Sequence, residues 1–139
     1  MFKIYVLAYL YSDDNILLLR RKNVTFGSGL YGLAGGQMEQ GETARQAIAR
    51  EVQEELALSI DPSEFELVHT LHRKGTETEF ISLCFQADIA GMKPKNNEPD
   101  KHDDMRLFKL YDLPENIIPA HQQIIESVES EEIYSEHGW

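Results

Sequence analysis

The sequence predicts an α/β (α+β) fold in which one mixed β-sheet is packed between α-helices. Three observations lead there. Short apolar runs rich in β-branched and aromatic residues come in pairs separated by turn residues. The segment from residue 44 changes to a helical period, and a second helical stretch follows the last strand-like run. The 139 residues suit one domain, 1–139, without internal repeats, and a chain of that size buries roughly two-thirds of its unfolded surface.

Residues 2–11 and 15–21 form the first pair, a hairpin around Ser12-Asp13-Asp14-Asn15. Residues 23–41 hold six of the nine glycines, so this stretch is a loop around one short strand. A helix starts after Thr43, the N-cap, and Thr43-Ala44-Arg45-Gln46 has the spacing of a capping box. Ala44, Ala47, Ile48, Val52 and Leu56 fall on one apolar stripe, and Asp61-Pro62 closes the segment. Residues 65–73 and 79–89 make a second hairpin around Lys74-Gly75-Thr76-Glu77. The polar run GMKPKNNEPDKHDD, residues 91–104, is a long loop, and loops of that length are usually functional or disordered. Residues 105–110 are the next strand, Asp112-Leu113-Pro114 a turn, and residues 120–133 a C-terminal helix.

Lys and Arg number 13 against 24 Asp and Glu, a formal net charge of −11. A nucleic-acid backbone would be repelled, which argues against a polymeric nucleic acid as partner. A small phosphorylated substrate stays open, because divalent cations reverse the field of an acidic cleft. Part of the acidity belongs to Glu126, Glu129, Glu131, Glu132 and Glu136, a solvated face near the C-terminus. No apolar run reaches the about 18 residues of a membrane span. The stretch MFKIYVLAYLYSDD lacks a small-residue cleavage site and is read as a strand. The lone Cys84 rules out an internal disulfide and fits a reducing, cytoplasmic compartment.

The stretch GGQMEQGETARQAIAREVQEEL, residues 35–56, puts Glu51, Glu54 and Glu55 just beyond a glycine-rich turn. On an ideal helix they lie within an arc of about 100°, with Cβ atoms roughly 5–6 Å apart. Like charges so placed repel. Either Arg45 and Arg50 offset them on a solvated face, or cations sit among them; Mg²⁺, with oxygen ligands at about 2.0–2.1 Å, suits the second arrangement. Ala44 and Ala47 leave room beside the same arc, and Gly35-Gly36 lets backbone approach a ligand closely.

Gly36, five residues, Glu42, seven residues, Arg50-Glu51-Val52, one residue, Glu54-Glu55, one residue and Ala57-Leu58 is similar to the Nudix box. That box marks hydrolases of nucleoside diphosphates linked to another group. The resemblance implies the Nudix fold and a division of labour. Glu51, Glu54, Glu55 and the Gly35 carbonyl would hold Mg²⁺, or Mn²⁺ in its place, while Glu42 and Arg50 keep the carboxylates oriented. A metal-activated water would attack phosphorus, with Glu51 one candidate for its proton. The departure is Ala57, where the family usually has the glycine that shapes the helix exit.

TFGSGLYGLAGGQMEQGE (25–42) and DDMRLFKLYDLP (103–114) resemble the MutT-type branch. By that resemblance an acidic residue before the late strand joins the metal site or acts as base. Asp104 takes the matching position, with Asp103 and Glu98 as alternatives. Of Arg20, Arg21 and Lys22, Arg20 is the expected phosphate contact. Tyr31 is placed to stack on a base and His121 or Gln122 to hydrogen-bond one, with Gly36 beside the substrate. The purine-reading carboxylates of the animal oxidised-purine enzymes have no counterpart, so no such preference is expected. The region LHRKGTE lacks the proline usual in ADP-ribose hydrolases, and no tyrosine lies between Tyr31 and Tyr111 as in dinucleoside polyphosphate hydrolases. His69 and His72, three apart on a strand, face opposite sides and are not read as a metal pair. Trp139 has three outcomes open: plugging the core, docking on a second subunit, or a frayed end.

The expectation is a Mg²⁺-dependent hydrolase that converts a nucleoside triphosphate to the monophosphate and pyrophosphate. An ADP-ribose or nucleotide-sugar pyrophosphatase is the alternative within the same chemistry. A non-catalytic nucleotide sensor is the alternative of another class, and the complete carboxylate set argues against it. Monomer and homodimer are both compatible with the sequence.

Overall fold

The computed structural model describes residues 1–139. β1 (Phe2–Ser12) and β2 (Asn15–Arg21) form the first hairpin, closed by a turn in which Asp13 takes a left-handed φ of 52°. Their pairing is confined to Tyr11↔Ile16 and Ser12↔Asn15, after which the strands part. Two short strands take the edges so released, β3 (Tyr31–Gly32) along β2 and β4 (Ala34–Gln37) along β1. The glycine-rich loop therefore holds two strands where the sequence predicts one. β5 (Glu66–Lys74) and β6 (Glu79–Asp88) make the second hairpin, and β6 runs parallel to β1 from Phe2↔Glu79 to Tyr11↔Asp88. β7 (His102–Lys109) pairs with β2, and β8 (Tyr134–His137), absent from the sequence reading, lies parallel to β5. The mixed sheet has the order β3-β2-β1-β6-β5-β8, with β4 added to β1 and β7 to β2.

Alternation along the strands splits the core into two layers. Val6, Ala8, Leu10, Leu17 and Leu19 pack with helix α1 (Ala44–Leu56), and Leu7, Tyr9, Ile16 and Leu18 pack with helix α2 (Pro119–Glu129). The inner strands read as continuous apolar runs because both of their faces are covered. The capping box of α1 is complete: the Gln46 amide donates to Thr43 Oγ1 at 3.1 Å and the Thr43 amide to Gln46 Oε1 at 2.9 Å. Ala47, Ile48, Val52 and Leu56 have 0% exposure, and truncating Ile48 or Leu56 to alanine costs about 2–5 kcal/mol.

One irregularity matters for the site. Arg20 pairs with Asp104 but Arg21 pairs with His102, so Asp103 is an extra, bulged residue in β7. A single inserted residue exchanges the faces of the sheet. His102 thereby lies on the α1 side, while Asp104 keeps the α2 side that alternation from Met105 gives it.

The C-terminal segment is held on β5. The His69 ring bridges the Glu132 carbonyl at 2.7 Å and Ser135 Oγ at 2.8 Å. Trp139 Nε1 donates to the His72 carbonyl at 3.2 Å, and the Trp139 ring meets His72 edge-on at 4.8 Å while staying 63% exposed. Trp139 thus folds back on the sheet without plugging the core. No helix is long and apolar enough to cross a membrane.

Helix α1 ends at Ala57, which takes a left-handed φ of 55° and donates its amide to the Gln53 carbonyl at 3.0 Å. The Cβ of alanine makes that conformation costly, by roughly 1–2 kcal/mol, and glycine is the usual solution. Ala57→Gly is expected to stabilise the protein by about 1 kcal/mol, read as a Tm increase of roughly 3 °C. An unchanged or lower midpoint in thermal unfolding would show that the Cβ contributes packing that outweighs the strain.

Candidate active site

The site grows from the contact between β4 and α1. Gly35 donates its amide to Glu55 Oε2 at 2.8 Å. A Cβ at Gly35 would lie 2.1 Å from the Val6 carbonyl oxygen, so no other residue fits. At Gly36 a Cβ would fall 2.5 Å from Glu51 Oε1; glycine keeps the space in front of that carboxylate open.

Arg50 organises the acidic face. Its Nε and Nη2 donate to both oxygens of Glu42, at 3.0 and 2.8 Å, and its Nη1 donates to Glu51 Oε1 at 2.9 Å and Glu54 Oε2 at 3.4 Å. Glu42 also accepts the Glu39 amide at 2.7 Å. The Arg50 fork holds the Glu42 carboxyl below its ordinary range. Burial pushes Glu51 up, with the Arg50 bonds opposing. Glu55, 6% exposed, is pushed well up by burial and by the charge of Glu51, with only the Gly35 amide and Arg21 pulling the other way. Two carboxyls that resist ionisation beside open space fit a divalent cation: Glu51, Glu54 and Glu55 offer the hard oxygen donors that Mg²⁺ or Mn²⁺ takes.

The long polar loop completes the cluster. It docks on the open C-terminal carbonyls of α1: the Asn97 amide donates to Glu55 O at 2.9 Å, Asn97 Nδ2 to Glu54 O at 3.1 Å and the Lys95 amide to Leu56 O at 3.0 Å. This brings Glu98 and His102 to Glu55, with His102 Nε2 3.6 Å from Glu55 Oε1. Burial pushes the His102 ring down, which favours the neutral imidazole. Asn97 and His102 escape sequence reasoning: the only hint is the length of the loop.

Three expected site residues lie away from the carboxylate cluster. Asp104 follows Met105 in regular alternation onto the α2 side and bonds the Tyr31 hydroxyl and, at 2.8 Å, Arg106; the loop carboxylate beside Glu55 is Glu98, one of the two alternatives. Arg20 bonds Asp103 at 2.6 Å and lies over the Tyr31 ring at 5.5 Å. Tyr31, 4% exposed and edge-on to Phe108 at 4.9 Å, has no free face for a base.

A cavity of about 800 Å³ opens on the α2 side of the sheet. Gly35, Gly36 and Gln37 form its wall toward the carboxylates, Tyr5, Leu7, Phe80 and Ser82 its floor, and Ile118 and His121 flank it. Arg21, Arg73 and Lys74 also line it. Arg21 Nη1 donates to the Phe26 carbonyl at 3.2 Å, and its charge favours ionised Glu55 and neutral His121. Arg73 lies over Phe80 at 4.0 Å and over Phe26 at 5.5 Å. None of the three cations makes an ion pair, unlike Arg20, Arg50 and Arg106. His121 Nδ1 accepts the Leu33 amide at 3.0 Å, so Nε2 carries the proton, and burial pushes the ring down to about 3. His121 lines the cavity.

The family profile described as NUDIX domain matches residues 1–128. The ADP-ribose pyrophosphatase of Methanocaldococcus jannaschii is 33% identical over 113 residues, covering 81% of this chain and 64% of that protein. The oxidized purine nucleoside triphosphate hydrolase of Danio rerio is 36% identical over 93 residues, 65% of this chain and 54% of that protein. The NAD-capped RNA hydrolase NudC of Stutzerimonas stutzeri is 32% identical over 80% of this chain but only 37% of its own length. The matched segment thus spans less than two-thirds of each of these relatives. Among solved structures, the MutT NUDIX hydrolase from Burkholderia pseudomallei superposes with a TM-score of 0.82 at 26% identity, covering 91% of this chain and 97% of that one.

The burial of Glu55 has a measurable consequence. Below the ordinary carboxylate range, about pH 4, folded and unfolded chains are both protonated and the cost vanishes. As pH rises, the unfolded chain ionises first and the metal-free protein loses stability. Glu55→Gln keeps an acceptor for the Gly35 amide and removes the charge. In excess chelator the variant is expected to gain several degrees in Tm at pH 7.5, shrinking toward zero near pH 4. A gain independent of pH, or a loss, would contradict this account of the buried carboxyl.

Proposed function

Because the chain belongs to the Nudix family, we propose that it is a Mg²⁺-dependent hydrolase, with Mn²⁺ as a substitute, converting a nucleoside triphosphate and water to the monophosphate and pyrophosphate. The observation that carries this reading is the cavity walled by Gly36, with Glu51 directly behind that glycine and three unpaired cations along its lining. A phosphate chain is the ligand class that needs both halves of this arrangement.

A cation held by Glu51, Glu54 and Glu55 supplies, when bound, neutralisation of the phosphate chain and acidification of a water. The remaining work belongs to the chain's own groups. Arg50 fixes Glu51 through Oε1, leaving Oε2 to receive the proton of the attacking water, a role for which a carboxyl raised by burial is suited. Arg21, rather than Arg20, meets the phosphates. The His121 Nε2–H, fixed by the Leu33 amide, donates to an acceptor on the base, which rests against Phe80 and Tyr5. The substrate is small, and the lone buried Cys84 agrees with a cytoplasmic setting, as monomer or homodimer.

An ADP-ribose pyrophosphatase is the second reading, favoured by the Methanocaldococcus relative at 33% identity. A non-catalytic sensor is disfavoured by the complete carboxylate set.

Turnover with Mg²⁺ across nucleoside triphosphates, ADP-ribose, nucleotide sugars and dinucleoside polyphosphates decides among them. The expected result is highest kcat/KM on a triphosphate with pyrophosphate, not orthophosphate, released. Glu51→Gln should lower kcat by about 10²–10⁴-fold, and Arg21→Ala should raise KM on the order of tenfold, the loss of one charged contact. Preferred cleavage of ADP-ribose would establish the second reading; nucleotide binding without any turnover would establish the sensor.

A further inference from the structure

We infer that Arg73 selects the base of the substrate, favouring bases that present a carbonyl (guanine and uracil) over those that present an amino group at the same edge (adenine and cytosine). Arg73 acts here on the nucleotide of the proposed hydrolase, and its role rests on that reading. It lines the cavity on the α2 side, half-buried. Its guanidinium lies 4.0 Å from the centre of the Phe80 ring and 5.5 Å from that of Phe26. The two rings come from β6 and from the loop after β2, and they hold the guanidinium without using any of its N–H groups. Arg73 makes no ion pair and no side-chain hydrogen bond; Glu77, which also lines the cavity, is exposed on the hairpin turn and does not pair with it. The donors of a planar fork are thus held in place and unspent, in a pocket that has taken away part of their water.

Position decides which end of the substrate these donors meet. β4, β1, β6 and β5 are successive neighbours in the sheet. β5 therefore lies three strand spacings, roughly 14 Å, from the Gly36 that adjoins Glu51. Arg73 also stands beyond the row through Gly36, which runs Val6, Leu83 and Thr70, and pairs instead with Phe80. With the phosphates drawn toward the carboxylates, the opposite end of the nucleotide is what reaches Arg73. A base resting against Tyr5 and Phe80 turns an edge to the guanidinium. The second fixed polar group of the cavity is also a donor, the His121 Nε2–H, because His121 Nδ1 accepts the Leu33 amide. The hydroxyls of Tyr5 and Ser82 donate or accept as they rotate and so exclude nothing. Guanine O6 and uracil O4 are acceptors where adenine and cytosine carry N–H donors. An amino group set against an arginine leaves donors on both sides unbonded, and a site built to bond one group rejects the analogue that lacks it.

Two measurements test this. Calorimetric binding of GMP, UMP, AMP and CMP needs no turnover, and kcat/KM is compared across the four triphosphates with Mg²⁺. The expected result is about tenfold tighter binding and about tenfold higher kcat/KM for the guanine and uracil nucleotides, the worth of one charged hydrogen bond. In Arg73→Ala both ratios should fall toward one, and Phe26→Ala, which removes one of the two rings, should lower them part of the way. A uniform loss for all four bases in Arg73→Ala would show that Arg73 meets the phosphates and would overturn the inference. Equal affinity for the four bases in the unaltered protein would overturn it as well. Preferential binding of GMP and UMP without turnover of any triphosphate would overturn the proposed hydrolysis and leave the base preference standing.

Discussion

The 2.8 Å bond from the Gly35 amide to Glu55 Oε2 ties the sheet to α1, and the placement of every other group in the cluster follows from it. β4 can approach the helix this closely only because Gly35 lacks a Cβ, which would meet the Val6 carbonyl oxygen. With Glu55 anchored, the helical period turns Glu51 toward Gly36 and Arg50 toward Glu42. The same bond is far too weak to make the burial of a carboxyl favourable. A charged hydrogen bond contributes about 1.5–3 kcal/mol, whereas desolvating an ion costs several. The deficit is met by the apolar side of α1, where Ala47, Ile48, Val52 and Leu56 are fully buried. The helix is therefore held in place by one face so that the other can carry unfavourable charge, the usual relation between stability and a functional site.

Arg50 shows how that charge is kept orderly without being cancelled. Its bidentate grip falls on Glu42, outside the helix, and only single bonds reach Glu51 and Glu54. Glu55 receives no guanidinium at all. The cation of the protein's own chain thus fixes the orientation of the carboxylates while leaving oxygens free. A lysine could not do this, since the planar fork is what allows one residue to bond Glu42 twice and still reach along the helix.

The parts of this arrangement that were legible in the sequence are those governed by local periodicity. The capping box at Thr43, the apolar stripe and the clustering of Glu51, Glu54 and Glu55 follow from residue spacing on a single helix. The opposite holds for β7. One bulged residue, Asp103, turns His102 into the α1 layer, and nothing in KHDD announces it. Arg21, not Arg20, lines the cavity, which two adjacent basic residues in a strand do not announce. Tyr31 was readable as an aromatic beside the glycine loop, but its burial against Phe108 and its bond to Asp104 are contacts across β2 and β7. β8 pairs in parallel with β5 after a helix, a register that four residues cannot specify alone.

The sheet itself separates two electrostatic environments. On the α1 side lie Glu51, Glu55 and Glu98; the cavity on the α2 side is lined by Arg21, Arg73 and Lys74. For a chain of net charge −11, the long-range field opposes any polyphosphate, so binding depends on short-range groups held away from their own counterions. The three cavity cations satisfy that condition because no carboxylate neutralises them. β4 carries no side chain at Gly35-Gly36, so only its backbone separates the cavity from Glu51 and Glu55 there. Any side chain at Gly36 would occupy the space against Glu51. The glycine pair is therefore what lets β4 lie directly against the carboxylates of α1.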